Sequence, residues 1–300
     1  MASFFDEIAR NKLKSILLIL IFGVFFSFII YLVVLFLFGG GIFGLLLGAV
    51  LVLIYAAFVY FTGDKLVLKM SHAKEADKQQ YHALYEIVED LAVSEQIPTP
   101  KVYIIDDPNP NAFATGRNKK LSSIAVTTGL LAIMNKRELE GVIAHESSHI
   151  GNNDIQFMMI AIVFAGAIGI AAAFFRGIFF FGSFGGGRNR NGGMLLLLAL
   201  VIGLLAPLFA MLIRLAISRR REYMADANGA RITRDPQGLA SALKKIQAYV
   251  AKPSSTPVKS ANEMSAPLYF SNPLSAKSVG NLFSTHPPIG DRIQKLEHMY

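Results

Sequence analysis

The chain has 300 residues, of which 53% are hydrophobic and only 17% charged, against about 25% charged in a typical soluble domain. That balance points to a membrane protein with a soluble part rather than a plain soluble globule. The net charge is +8 and cysteine is absent, so disulfides and thiolate sites are excluded and any metal must be held by His and carboxylate.

Residues 15–38 carry no charge and are long enough to span a bilayer. A signal peptide would have a shorter apolar core and a small-residue cleavage site; here a second apolar run follows at once. "GGGIFG" (39–44) is an uncharged turn, and residues 45–61 run back across. So short a connection makes the two helices antiparallel neighbours. Arg10, Lys12 and Lys14 precede the first span and Lys65 and Lys69 follow the second, which puts both ends in the cytoplasm.

From residue 64 the composition turns soluble. "KEADKQQYHALYEIVEDLAVSEQ" places Tyr81, Leu84, Tyr85, Ile87, Val88 and Leu91 at helical spacing. "KVYIID" (101–106) predicts a strand, "DPNPN" a turn, and "AFATG" and "LSSIAVTTG" two further strands around "RNKK". Asn135 followed by Glu138 predicts a capping box opening the next helix. Residues 155–175 and 194–213 are a third and a fourth span, the latter kinked at Pro207. Arg176 snorkels at the far end of the third. Arg188 and Arg190 on the outer loop oppose the charge rule, but Arg214, Arg219, Arg220 and Arg221 outnumber them. "GGGRNRNGG" lacks the aromatic interleaving that stacking on bases requires, so no nucleic-acid partner is expected. Residues 252–284 read as a long loop, a candidate lid, and "HPPIGDRIQKLEHMY" closes the chain with a Pro-initiated helix.

"GVIAHESSHIGNND" (141–154) carries the chemistry. On a helix His145 and His149, four apart, share a face and can aim two imidazoles at one ion. Glu146 beside them is free to act as a base. The alternative is a satisfied pair of core histidines. A third ligand must come from another element, and "SRRREYMADANGA" (218–230) offers Glu222 and Asp226 one turn apart. Glu222 could bind the metal while Asp226 accepts a hydrogen bond from a ligand imidazole. A surface helix with Arg–Glu pairs is the competing view.

An N-terminal hairpin, "HESSH", two more apolar spans, "EYMADANGA" and "THPPIGDRI" follow in that order. This order closely resembles the HtpX family of bacterial integral-membrane zinc proteases, which are related to the CAAX prenyl proteases. "NPNAFATG" (109–116) resembles that family's stretch leading into the active-site sheet, whereas Ser147 stands where an aliphatic residue is more usual. The resemblance implies one zinc per chain on His145, His149 and Glu222, with Glu146 as catalytic base. It also implies a residue to stabilise the oxyanion; His286 is the candidate, with Tyr223 a weaker one, and His286 could equally cap the last helix. Asn111 and Ala112 suit a strand edge that pairs with substrate backbone, or an ordinary loop.

The expected architecture is a mainly helical membrane protein with an α+β, zincin-like catalytic domain and a small β-sheet. Residues 1–63 form an N-terminal transmembrane hairpin, 64–154 a catalytic domain, 155–217 a second hairpin, and 218–300 a C-terminal catalytic segment. The motif helix ends where the third span begins, and Glu222 follows the fourth, so both emerge at one membrane face. The expected function is a zinc endopeptidase in the bacterial inner membrane, its site facing the cytoplasm. Its partners are the bilayer and protein or peptide substrates; the resemblance implies misfolded or damaged membrane proteins. A CAAX-type processing protease and a non-catalytic, zinc-stabilised scaffold or chaperone are the alternatives.

Overall fold

The computed structural model describes residues 42–159, 219–251, 270 and 287–299, with single positions 13, 17, 20 and 24. Apart from positions 17, 20 and 24 the predicted first span lies outside the described residues, as do the fourth span, the loop 176–193, His286, all of 252–284 except Phe270, and the third span beyond 159.

Helix α1 (Ile42–Met70) replaces the expected span at 45–61 with a longer element. Its N-terminal and middle turns expose Phe43, Leu46, Leu53 and Phe58, while Val67 and Leu68 near its end are buried. Among the described residues no single helix is long and apolar enough to cross a membrane. Ala49–Tyr55 and Tyr60–Met70, bent by 52°, meet that requirement together.

The stretch expected to begin a helix at Lys74 instead forms strand β1 (Lys74–Glu75) before helix α2 (His82–Ser94). Asp77 explains the delay. Its carboxylate accepts the backbone N–H groups of Gln79 and Gln80 at 2.8 and 2.9 Å, a local turn that competes with helix. Strands β2 (Lys101–Ile105), β3 (Ala112–Gly116) and β4 (Ser122–Thr127) follow. The sheet order is β1-β2-β4-β3, with β2 parallel to β4 and the outer pairs antiparallel. Thr128 and Gly129 of "LSSIAVTTG" do not prolong β4. Thr127 Oγ1 accepts the N–H of Leu130 at 3.1 Å and opens helix α3 (Thr128–Ile133).

Period-two alternation sends the two faces of β3 and β4 to different layers. Ala112, Ala114, Ile124 and Val126 pack with Val142, Ile143 and Ile150 of helix α4 (Lys136–Gly151). Phe113 and Ala125 pack with Val67 and Leu68 of α1 and with Met158. Strands β3 and β4 are therefore buried on both sides, between the α4 core and the base of the apolar helix, whereas β1 at the other edge is exposed.

Helix α4 starts with the predicted capping box. Asn135 Oδ1 accepts the Glu138 N–H at 2.9 Å, and Glu138 Oε2 accepts the Asn135 N–H at 2.9 Å. Glu138 also accepts from Lys245 Nζ at 2.6 Å and Ser241 Oγ at 2.7 Å, both on helix α6 (Pro236–Val250). Helix α5 (Arg219–Thr233) crosses α4, and helix α7 (Ile289–Glu297) buries Arg292, Ile293 and Leu296. Among the described residues the protein is mostly helical, with one small mixed sheet.

Candidate metal centre

The close approach of α5 to α4 sets the site. A Cβ at Gly229 would lie 3.1 Å from the backbone N of His145, so the missing side chain lets the helices touch there. Glu222, Asp226 and Gly229 stand at i, i+4 and i+7, one helical face. Gly229 against His145 therefore turns both carboxylates toward the histidines.

His145 and His149 meet edge to face, with ring centroids 4.8 Å apart and planes at 88°. Their Nε2 atoms are 3.2 Å apart. Glu222 Oε2 lies 3.7 Å from His145 Nε2, and Oε1 3.6 Å from His149 Nε2. The three ligand atoms all lie within 4.8 Å of one another, and all three residues are buried. Two donors about 2.05 Å from a tetrahedral zinc are about 3.3 Å apart, so these separations match the edges of a zinc coordination shell.

The outer imidazole nitrogens strengthen that fit. His145 Nδ1 is 2.9 Å from Asp226 Oδ1, and His149 Nδ1 is 3.1 Å from Asp154 Oδ2. Each carboxylate can only accept, so each Nδ1 carries the proton. In the neutral rings both Nε2 lone pairs then face each other across 3.2 Å. That contact is no hydrogen bond. It becomes tenable only with a cation, either a metal or a proton, between the lone pairs and Glu222.

Charge follows the same logic. Burial opposes the protonation of His149 most strongly, but Asp154, Glu222 and Glu146 outweigh it and raise its pKa to about 9. Burial pushes the Glu146 carboxyl up, and His145, His149 and the Ala114 N–H pull it back only in part. Burial likewise works against ionised Asp226, yet Arg292 and His145 prevail and lower its pKa to about 2.

A pH dependence follows for the metal-free protein. The folded pKa of His149, about 9, lies above the ordinary value near 6.5. Its contribution to stability is complete below about pH 6.5 and is lost as pH rises through about 9. A metal must displace this proton, so zinc affinity weakens about tenfold per unit as pH falls below 9. Chelator competition between pH 7 and 8.5 should show that slope, whereas a flat profile would exclude a protonated His149.

Glu146 Oε2 accepts the N–H of Ala114 on β3 at 2.8 Å, which brings the carboxylate to the sheet edge. The structure thus gathers His145, Glu146, His149, Glu222 and Asp226 into one buried group. The backbone N–H and carbonyl of Asn111 are turned to Thr127, at 2.8 and 3.0 Å. The Ala112 carbonyl points away from β4 and accepts the N–H of Phe270 at 2.8 Å. His286 lies outside the described residues, and the Tyr223 ring carries Lys295 Nζ 3.3 Å from its centroid.

Sequence reasoning missed Asp154, Arg292 and Phe270. Asp154 had one local signal: Asn153 takes a positive φ of 58°, a conformation asparagine tolerates, and the reversal brings Asp154 back to His149. Arg292 and Phe270 reach the site only through tertiary packing.

Residues 78–300 match the family model of peptidase family M48. A protease HtpX homolog of Dictyoglomus thermophilum is 43% identical over 99% of this chain and 95% of its own length. Another, from Streptococcus thermophilus, is 42% identical over 98% of this chain and 99% of its own. A looser likeness is to the crystal structure of S. mikatae Ste24p: 19% identity and a TM-score of 0.45, covering 81% of this chain and 58% of that one. By the family match and by identity sustained over nearly the full length, the chain belongs to the HtpX proteases of peptidase family M48, metalloproteases whose cofactor is zinc.

Proposed function

We propose that the chain is a multi-pass endopeptidase of the bacterial inner membrane, its site facing the cytoplasm, that cuts misfolded or damaged membrane proteins. The observation that carries this reading is the meeting of three parts at one point: a His145–His149–Glu222 triangle of zinc dimensions, a buried carboxylate beside it, and a sheet edge. His145, His149 and Glu222 would hold the zinc, and Asp226 and Asp154 orient the two imidazoles. When bound, zinc polarises a peptide carbonyl and lowers the pKa of a water to about 7.

Glu146 removes the proton of the attacking water and returns it to the leaving amine. Its raised pKa, caused by burial, suits a group that must release the proton again. On β3 the Ala112 carbonyl and the Ala114 N–H point away from β4. The Phe270 N–H and the Glu146 carboxylate occupy these two groups, so an extended substrate backbone would pair with this edge, with Asn111 and Ala112 at its start, by displacing them. His286, three residues before α7, is the proposed oxyanion donor. The apolar residues exposed on α1, Phe43, Leu46, Leu53 and Phe58 among them, support placement in a bilayer, because water would not tolerate so large an apolar surface.

The test uses the full chain in liposomes with a single-span substrate bearing a cytoplasmic loop. Zinc-dependent cleavage that a chelator stops, without any prenylated cysteine, is the expected result. A requirement for a prenylated C-terminal cysteine would instead establish the processing role, and absence of turnover the scaffold role.

A further inference from the structure

Helix α7 buries one charged side chain among apolar ones. Arg292 is 1% exposed and sits beside Ile293 and Leu296. A buried guanidinium is costly unless its donors are satisfied. Arg292 Nε donates to Asp226 Oδ2 at 2.8 Å, and Nη2 to Asp226 Oδ1 at 2.6 Å, a two-pronged grip. Nη1 donates to the Phe270 carbonyl at 3.4 Å, and the guanidinium lies 4.7 Å from the centre of the Phe270 ring. That ring stands edge-on to His145 with centroids 4.9 Å apart.

Asp226 Oδ1 is therefore shared. It accepts from His145 Nδ1 at 2.9 Å on one side and from Arg292 Nη2 on the other. The 3.4 Å approach of Arg292 Nη2 to His145 Nδ1 sets two donors against each other, so it is the closing side of this triangle and no bond. Without Arg292, Asp226 would keep only the His145 Nδ1 bond on Oδ1, and nothing among the described residues would hold Oδ2; the fork fixes both oxygens.

We propose that Arg292 is a positioning residue that acts through Asp226 to set the His145 imidazole ring, so that tight zinc binding depends on the docking of α7. It rests on the ligand assignment above. A ligating histidine held by a fixed carboxylate binds metal more tightly, and loss of such outer partners weakens binding by roughly 10–100-fold. Lysine keeps the charge but cannot form the fork.

Arg292→Lys in the full-length protein should weaken zinc 10–100-fold in chelator competition, with one zinc per chain still bound at saturation. In an Asp226→Asn background the same substitution should change affinity by less than about twofold, because the two residues act as one unit. Unchanged affinity in the single variant, or an equal loss in both backgrounds, would overturn the proposal. A second measurement needs no variant. Coupling is reciprocal, so zinc loading should slow hydrogen exchange at 289–297 in the wild type, and identical exchange with and without zinc would also overturn it. Failure of the ligand assignment is distinguishable: it would show as a Glu222→Ala protein that still binds zinc as tightly as wild type.

Discussion

Glu146→Gln will lower the rate of peptide cleavage by roughly 10²–10⁴-fold and leave one zinc per chain. Glutamine has the shape of glutamate and keeps an oxygen to accept the Ala114 N–H, which Glu146 holds at 2.8 Å. It cannot take a proton from water. Glu146 is also absent from the triangle formed by the two Nε2 atoms and the Glu222 oxygens. The loss should fall on kcat, with KM nearly unchanged, since the proton moves only in the reaction itself. Peptide kinetics and zinc analysis on one preparation check both halves. Full activity would remove Glu146 from the mechanism, and loss of zinc along with activity would make it structural.

Glu222→Ala will weaken zinc binding by more than about 100-fold, beyond the range seen for outer partners of a ligand. Two imidazoles then remain, and a zinc site needs at least three protein ligands to hold its metal firmly. The same change removes one of the anions that keep the proton on His149, which Glu222 faces at 3.6 Å. The pKa of His149 in the metal-free variant should therefore drop from its wild-type value. Metal titration with NMR of the His149 ring follows both effects. Wild-type affinity in Glu222→Ala would mean that another residue completes the site.

What was legible beforehand was local or periodic. His145 and His149 share a face because four residues are close to one helical turn, and Glu222 and Asp226 share one for the same reason. The cap at Asn135 and the strands at 101–105, 112–116 and 122–127 follow from short-range composition. Errors arose where side chains redirect the backbone. Asp77 held the chain out of helix, and Thr127 ended β4 by capping α3.

The outer layer of the site was not legible, for a different reason. Asp154 reads as the approach to an apolar run until the turn at Asn153 returns it to His149. Arg292 is 66 residues from Asp226, and no spacing rule links positions so far apart. The sheet's second buried face, where Phe113 meets Val67 and Leu68, was hidden likewise, because a five-residue strand does not reveal what covers it.

X-ray absorption at the zinc edge of the loaded Glu146→Gln protein tests the central claim most directly. The account predicts two imidazole nitrogens at about 2.0–2.1 Å and carboxylate oxygen at about 2.0–2.2 Å, with the oxygen contribution reduced in Glu222→Ala. A third imidazole in the shell, or a spectrum unchanged by Glu222→Ala, would contradict it.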